Sequence, residues 1–265
     1  MAFFEVNFFS DALGMCMSMY VVLPQRTSGN IGVSEGEFGE KYPTLYLLHG
    51  MSDDHTIWLR RTSVERYAEE RGLALVMPTT YLGWYTDMKY GFNYRTFIGE
   101  ELPKICRSFF PGMSSRREDN YVAGLSMGGY GALAIALSYP ETFSVASPLS
   151  GAFDVRGLYD PAHIENTYFE DIFGSIDEFE GSAGDLYSLA ERVKSSGSPL
   201  PVIRMWCGTE DGLIGDNRKM RAHLLSLGYD VTYSETPGDH SWKYWDREIE
   251  QTIGFIDEYR KGGRK

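Results

Sequence analysis

The chain runs to 265 residues, enough for one sizeable domain with a large core, and its 43% hydrophobic content excludes a disordered or collagen-like chain. Its 37 Asp and Glu against 25 Lys and Arg give a net charge of −12, the wrong sign for binding a nucleic-acid backbone or an anionic bilayer. Three cysteines without Cys-x-x-Cys spacing, Cys16, Cys106 and Cys207, suggest neither a disulfide framework nor a thiolate metal site, and all three read as small buried residues.

In chain order, residues 3–9 and 15–23, joined through 10–14, predict an antiparallel hairpin at a sheet edge. The stretch 2–20 is apolar, but it lacks a basic start and is interrupted by Glu5 and Asp11. It is therefore not read as a signal peptide, and the chain is expected in the cytoplasm. Uninterrupted apolar runs follow at 44–48, 73–77, 121–125, 145–149, 202–207 and 231–233, the mark of strands covered on both faces. Helical patterns lie between them at 64–71, 97–109, 129–138, 186–193, 218–227 and 242–259. The alternation predicts a single α/β domain over residues 1–265, with a mostly parallel central sheet and helices on both faces. Residues 153–185 break the rhythm with nine acidic residues against the single basic Arg156, and with six aromatics. They read as an insertion, either a cap over the sheet or a solvated loop.

Gly124-Leu125-Ser126-Met127-Gly128 joins the run 121–125 to the helix 129–138, so the pattern G-x-S-x-G stands between a strand and a helix. A serine on so tight a turn needs glycine on either side, because a Cβ there would clash where strand and helix pass closely. The helix start also aims free N–H groups and the positive end of the dipole at a developing oxyanion. Ser126 is thus the candidate nucleophile.

A serine hydroxyl needs a histidine to take its proton, and in this architecture the partners follow in the order Ser, Asp or Glu, His. Of the histidines beyond Ser126, His163 lies in the acidic insertion and His223 in a helical pattern. His240 sits in Gly238-Asp239-His240-Ser241-Trp242, a loop between the last strand and the last helix, and is the candidate base. The carboxylate should follow the run 202–207. Asp211 is chosen over Glu210 because it lies further round the turn, although sequence alone does not separate two adjacent carboxylates. Asp216, the third candidate, resembles a helix N-cap.

His49-Gly50-Met51 follows the third strand, where a second oxyanion donor belongs, so the backbone N–H groups of Met51 and Met127 are the expected oxyanion donors. His49 itself reads as structural. These loops all leave the carboxyl ends of their strands, the edge at which open α/β sheets build sites. On the same edge lies the aromatic loop that includes Trp84 and Tyr85. Substrate contacts are expected from Trp84, Tyr85, Phe153, Leu213 and Trp242.

Four blocks carry a resemblance in order and spacing: Leu47-Leu48-His49-Gly50-Met51, Gly83-Trp84-Tyr85-Thr86-Asp87, Gly124 to Gly131, and Gly238-Asp239-His240-Ser241-Trp242. Together they resemble the esterase D group, and within it the bacterial tributyrin esterases. The resemblance implies an α/β-hydrolase fold, a cytosolic serine carboxylesterase active on short-chain acyl esters through an acyl-enzyme, and no cofactor or metal. It implies the triad Ser126, Asp211 and His240, with Met51 and Met127 at the oxyanion hole. The wider group also holds S-formylglutathione hydrolases, feruloyl esterases, carbohydrate acetyl esterases and mycolyltransferases. The expected partner is accordingly a small-molecule ester, acylated carbohydrate included, with no nucleic acid and no membrane. A homo-oligomer stays open, as does a hydrolase-fold binding protein with an idle triad.

Overall fold

The computed structural model describes residues 1–27, 31, 36–37, 39–159 and 166–262. A hairpin of β1 (Ala2–Ser10) and β2 (Met15–Leu23) is followed by β3 (Thr44–Leu48), α1 (Ile57–Arg61), α2 (Val64–Glu69) and β4 (Ala74–Pro78). Next, α3 (Tyr94–Thr96) runs through a π turn (Phe97–Glu101) into α4 (Leu102–Phe109). Then come β5 (Asn120–Leu125), α5 (Met127–Ser138), β6 (Val145–Leu149), α6 (Asn166–Phe173), α7 (Ile176–Phe179) and α8 (Leu186–Ser196). The chain closes with β7 (Val202–Gly208), α9 (Ile214–Ser226), β8 (Val231–Thr236) and α10 (Trp242–Arg260).

The eight strands form one sheet in the order β1-β2-β4-β3-β5-β6-β7-β8. The β1–β2 and β2–β4 pairs are antiparallel and the rest are parallel. Every residue of β3, β4, β5 and β6 is buried, which is why these strands read as unbroken apolar runs. Alternate side chains feed two cores. Tyr46, Val76, Val122 and Ala146 pack on the side of α4 and α5, while Leu45, Leu47, Leu75 and Tyr121 pack on the side of α2 and α10. α5 is buried from Met127 to Leu137, so its Gly and Ala residues let it approach the sheet closely.

Three expectations are corrected. The helix read over 97–109 begins earlier and contains the π turn, because Pro103 has no N–H to give residue 99 and the ladder slips there. Cys16 is exposed, since it falls on the outward face of β2 opposite Phe9, whereas Cys106 and Cys207 are buried. Asp216 is not an N-cap. α9 starts at Ile214, and Leu213 is the capping residue.

The described part of the 153–185 segment is amphipathic. Phe169, Ile172, Phe173 and Phe179 are buried, while Glu170, Asp171, Asp177, Glu178 and Glu180 face outward. Phe169 and Phe173 meet Trp84 edge to face, and Phe173 meets Tyr130 in the same way. The amides of Lys89 and Tyr90 donate to the carbonyls of Ile172 and Asp171, each at 2.8 Å. The segment is therefore anchored to the loop after β4 rather than freely solvated. His163 lies outside the described residues. No helix among the described residues is long and apolar enough to cross a membrane.

Candidate active site

Ser126 stands between β5 and α5 at φ 54° and ψ −118°, a backbone conformation that an L-residue holds only under constraint. The constraint is visible. The Ser126 N–H donates to Leu149 O at 3.0 Å, and its carbonyl accepts from the amides of Tyr130 at 3.0 Å and Ala152 at 3.2 Å. A Cβ on Gly124 would lie 2.3 Å from Gly128 O, and one on Gly128 would lie 2.5 Å from Leu48 O and 2.6 Å from His49 O. No other residue fits at either position, so the sequence pattern records a steric requirement.

The loops after β7 and β8 are equally crowded. A Cβ on Gly208 would fall 2.0 Å from Gly238 O, and the Glu210 carboxylate accepts from the Gly238 amide at 2.5 Å. This clamp turns the next residue inward. Asp211 is only 2% exposed, and its Oδ2 lies 2.8 Å from His240 Nδ1. Its Oδ1 accepts from the Leu213 amide at 2.9 Å. The two neighbouring carboxylates thus differ in their partners: Glu210 accepts from the Gly238 amide, while Asp211 pairs with the His240 imidazole. Burial pushes the Asp211 pKa up, but hydrogen bonds from His240, the Leu213 amide and Ser150 outweigh it and keep the pKa below the usual carboxylate value. An ionised Asp211 fixes the proton on Nδ1 and leaves Nε2 as an acceptor.

Ser150, at the end of β6, ties these parts together. Its φ is 47°, its N–H donates to Trp206 O at 2.7 Å, and its hydroxyl is one of the groups that hold the Asp211 pKa low. The Trp245 indole N–H points at Ser150 Oγ at 3.3 Å, and the Trp245 ring stands edge-on to His240 with centroids 4.8 Å apart. Next in the chain, Gly151 is gripped by the buried Asn217, which accepts from its amide at 3.2 Å and donates to its carbonyl at 2.9 Å. β6 and its following loop thus contact Ser126 on one side and the Asp211–His240 pair on the other. The Ser126 hydroxyl makes no hydrogen bond among the described residues; such bonds commonly tighten only when substrate arrives. A serine in an apolar run, an asparagine in a helix and a tryptophan one turn into another carry no sequence signal, so Ser150, Asn217 and Trp245 were not foreseen.

On the other flank of Ser126, neither the Met51 nor the Met127 amide donates to an acceptor among the described residues. The loop carrying Met51 is held by His49. Its Nε2 accepts from the Thr80 amide at 3.0 Å, its Nδ1 faces Gly50 O at 2.7 Å, and its carbonyl accepts from Tyr85 Oη at 2.8 Å. That arrangement requires a neutral ring protonated on Nδ1, and burial lowers the His49 pKa to about 4. His49 is structural, as expected.

The expected aromatic contacts fare differently. Trp84 is 3% exposed and packs against Tyr130, Phe169 and Phe173, while Tyr85 is fully buried against Gly131. Phe153 is also buried, folded over Gly151. These three are packed into the core, because the inserted segment covers Trp84, Tyr85 lies against Gly131 and Phe153 lies against Gly151. Tyr81 and Leu82 are the exposed apolar residues of that loop, and Met51 is exposed as well. Leu213 is half-buried beside Asp211, and Trp242 is half-buried against Trp58 and Trp245.

The chain as a whole is similar to known proteins. Residues 10–256 match the family described as "Putative esterase". An acetyl esterase of Caldicellulosiruptor saccharolyticus is 30% identical, over 97% of this chain and 99% of the relative. The fluorophosphonate-binding serine hydrolase F of Staphylococcus aureus superposes with a TM-score of 0.86 at 33% identity, covering 97% of this chain and 98% of the other. An S-formylglutathione hydrolase, FrmB, of the same organism superposes with a TM-score of 0.84 at 33% identity and the same coverage. The chain belongs to this esterase family and is a serine carboxylic ester hydrolase of α/β-hydrolase fold.

Proposed function

We propose that Ser126, His240 and Asp211 form the catalytic triad of a cytoplasmic carboxylesterase that hydrolyses short-chain acyl esters, acetyl to butyryl, through an acyl-enzyme. The observation that carries this reading is the 2.8 Å bond from His240 Nδ1 to the buried Asp211, together with a Ser126 held at φ 54° at the start of α5 whose hydroxyl is unpartnered among the described residues. His240 Nε2 takes the Ser126 proton as Oγ attacks the acyl carbon. The amides of Met51 and Met127 hold the oxyanion, and the imidazolium returns the proton to the leaving alcohol. Water then attacks the acyl-serine, His240 again accepting a proton, and the carboxylic acid leaves.

Support for a small acyl group comes from the acetyl esterase relative. Exposed Met51, Tyr81 and Leu82 offer an apolar rim for the alcohol side of the ester. The free state of all three cysteines suits a reducing compartment. A second reading, thioester hydrolysis, is favoured by the likeness to FrmB. A panel of p-nitrophenyl acetate to octanoate, methyl ferulate, acetylated xylo-oligosaccharide and S-formylglutathione decides between them. The expected result is highest kcat/KM on acetate to butyrate. A maximum at octanoate overturns the short-chain assignment, and a preference for the thioester replaces it with the second reading.

A further inference from the structure

The sheet ends at β1, and that edge is uncovered. β1 pairs with β2 along all nine residues, but among the described residues no strand and no hydrogen bond from another element meets its other side. The nearest clamp is Glu101, which takes the hydroxyl of Ser10, the strand's last residue, and the amides of Asp11 and Ala12 just past it. Native edges of this length are usually blunted by lysine, proline or a bulge. This one carries none of them and instead shows Phe3 at 48%, Phe4 at 38% and Phe9 at 58% exposure.

The strand is also self-complementary. Taken outward from Val6, Glu5 is matched by Asn7, Phe4 by Phe8, Phe3 by Phe9 and Ala2 by Ser10. We infer that two copies of this chain pair antiparallel along β1 about a two-fold axis through Val6, joining two 8-stranded sheets into one. In that register Phe3 of each copy lies opposite Phe9 of the other, giving two aromatic cross-strand pairs on one face. Glu5, the only charge on the strand, lies opposite Asn7 of the second copy. A slip that put Glu5 on the axis would set two carboxylates against each other, so charge selects the register. The pairing is isologous and closed, which stops assembly at two.

A single strand pair is a small interface, so the equilibrium belongs in the micromolar range. Sedimentation velocity of the whole chain over about 1–100 µM should show mass rising from 30.0 kDa toward twice that value. Phe9→Lys, at an exposed site, should weaken association at least tenfold, roughly the loss of two aromatic pairs. Asn7→Asp retains the oxygen that accepts from Ser18 at 2.6 Å but opposes carboxylates across the axis, and should weaken it by about tenfold. Adding Glu5→Lys to Asn7→Asp should restore dimers by pairing opposite charges. Circular dichroism verifies folding of each variant. A single-chain mass at every concentration overturns the proposal, and so does a dimer whose affinity neither Phe9→Lys nor Asn7→Asp changes.

Discussion

Asp211 and His240 are joined by a 2.8 Å hydrogen bond in which the carboxylate side chain is fully buried and the imidazole side chain 38% exposed. One partner is locked inside the protein and the other can still reach substrate. Glu210, beside Asp211 in the chain, points away and clamps Gly238. The two carboxylates therefore have separable effects. Asp211→Asn should lower kcat by about 10⁴, because the amide no longer dictates the imidazole tautomer. Glu210→Gln should stay within about tenfold of the parent enzyme. Steady-state kinetics on p-nitrophenyl acetate checks the pair.

Ser150 receives the Trp245 indole N–H and helps hold the Asp211 pKa low, so it acts on the imidazole through the carboxylate. Ser150→Ala should reduce kcat by roughly tenfold, the cost of about one hydrogen bond to a charged group, with KM within about twofold. A kcat equal to that of the parent enzyme would remove Ser150 from the relay.

His49 gives a pH signature in stability. Burial lowers its folded-state pKa from the ordinary 6.5 to about 4, so the unfolded chain binds a proton first as pH falls. The stability tied to this group is present above pH 6.5 and is lost as pH drops toward 4, with about 2 kcal/mol gone between pH 7 and pH 5. Urea unfolding at the two pH values should show that His49→Gln, less stable at pH 7, loses less on acidification than the parent.

Gly128 is predicted to be irreplaceable. Gly128→Ala places a methyl group 2.5 Å from Leu48 O and 2.6 Å from His49 O, pushing the loop of Met51 away from α5. Thermal or urea denaturation should report a loss of about 1–3 kcal/mol, and activity should fall with it. A variant as stable and active as the parent would contradict the packing described.

What was legible in the sequence was whatever sterics or periodicity forces. The serine turn showed because Gly124 and Gly128 have no room for a Cβ, and the parallel strands showed because every residue in them is buried. The choice of Asp211 over Glu210 rested on position in a turn, and its cause is the Glu210–Gly238 clamp, which joins loops 28 residues apart. Trp84 and Tyr85 looked like ligand contacts because they stand in a glycine loop. They are buried by residues that pack on them from elsewhere in the chain: Phe169 and Phe173 from the insertion, and Tyr130 and Gly131 from α5. Cys16 alternates outward on an edge hairpin whose register only the coordinates fix. Ser150 could not be seen at all, since its meaning comes from the three elements that meet around it.

The most direct measurement is mass spectrometry of the protein treated with a fluorophosphonate, with the labelled peptide sequenced. The adduct is expected on Ser126, absent in Ser126→Ala and slowed by orders of magnitude in His240→Ala, whose fold should be unchanged. An adduct on another residue, or labelling of Ser126→Ala at the parent rate, would contradict the assignment of Ser126 as the nucleophile activated by His240.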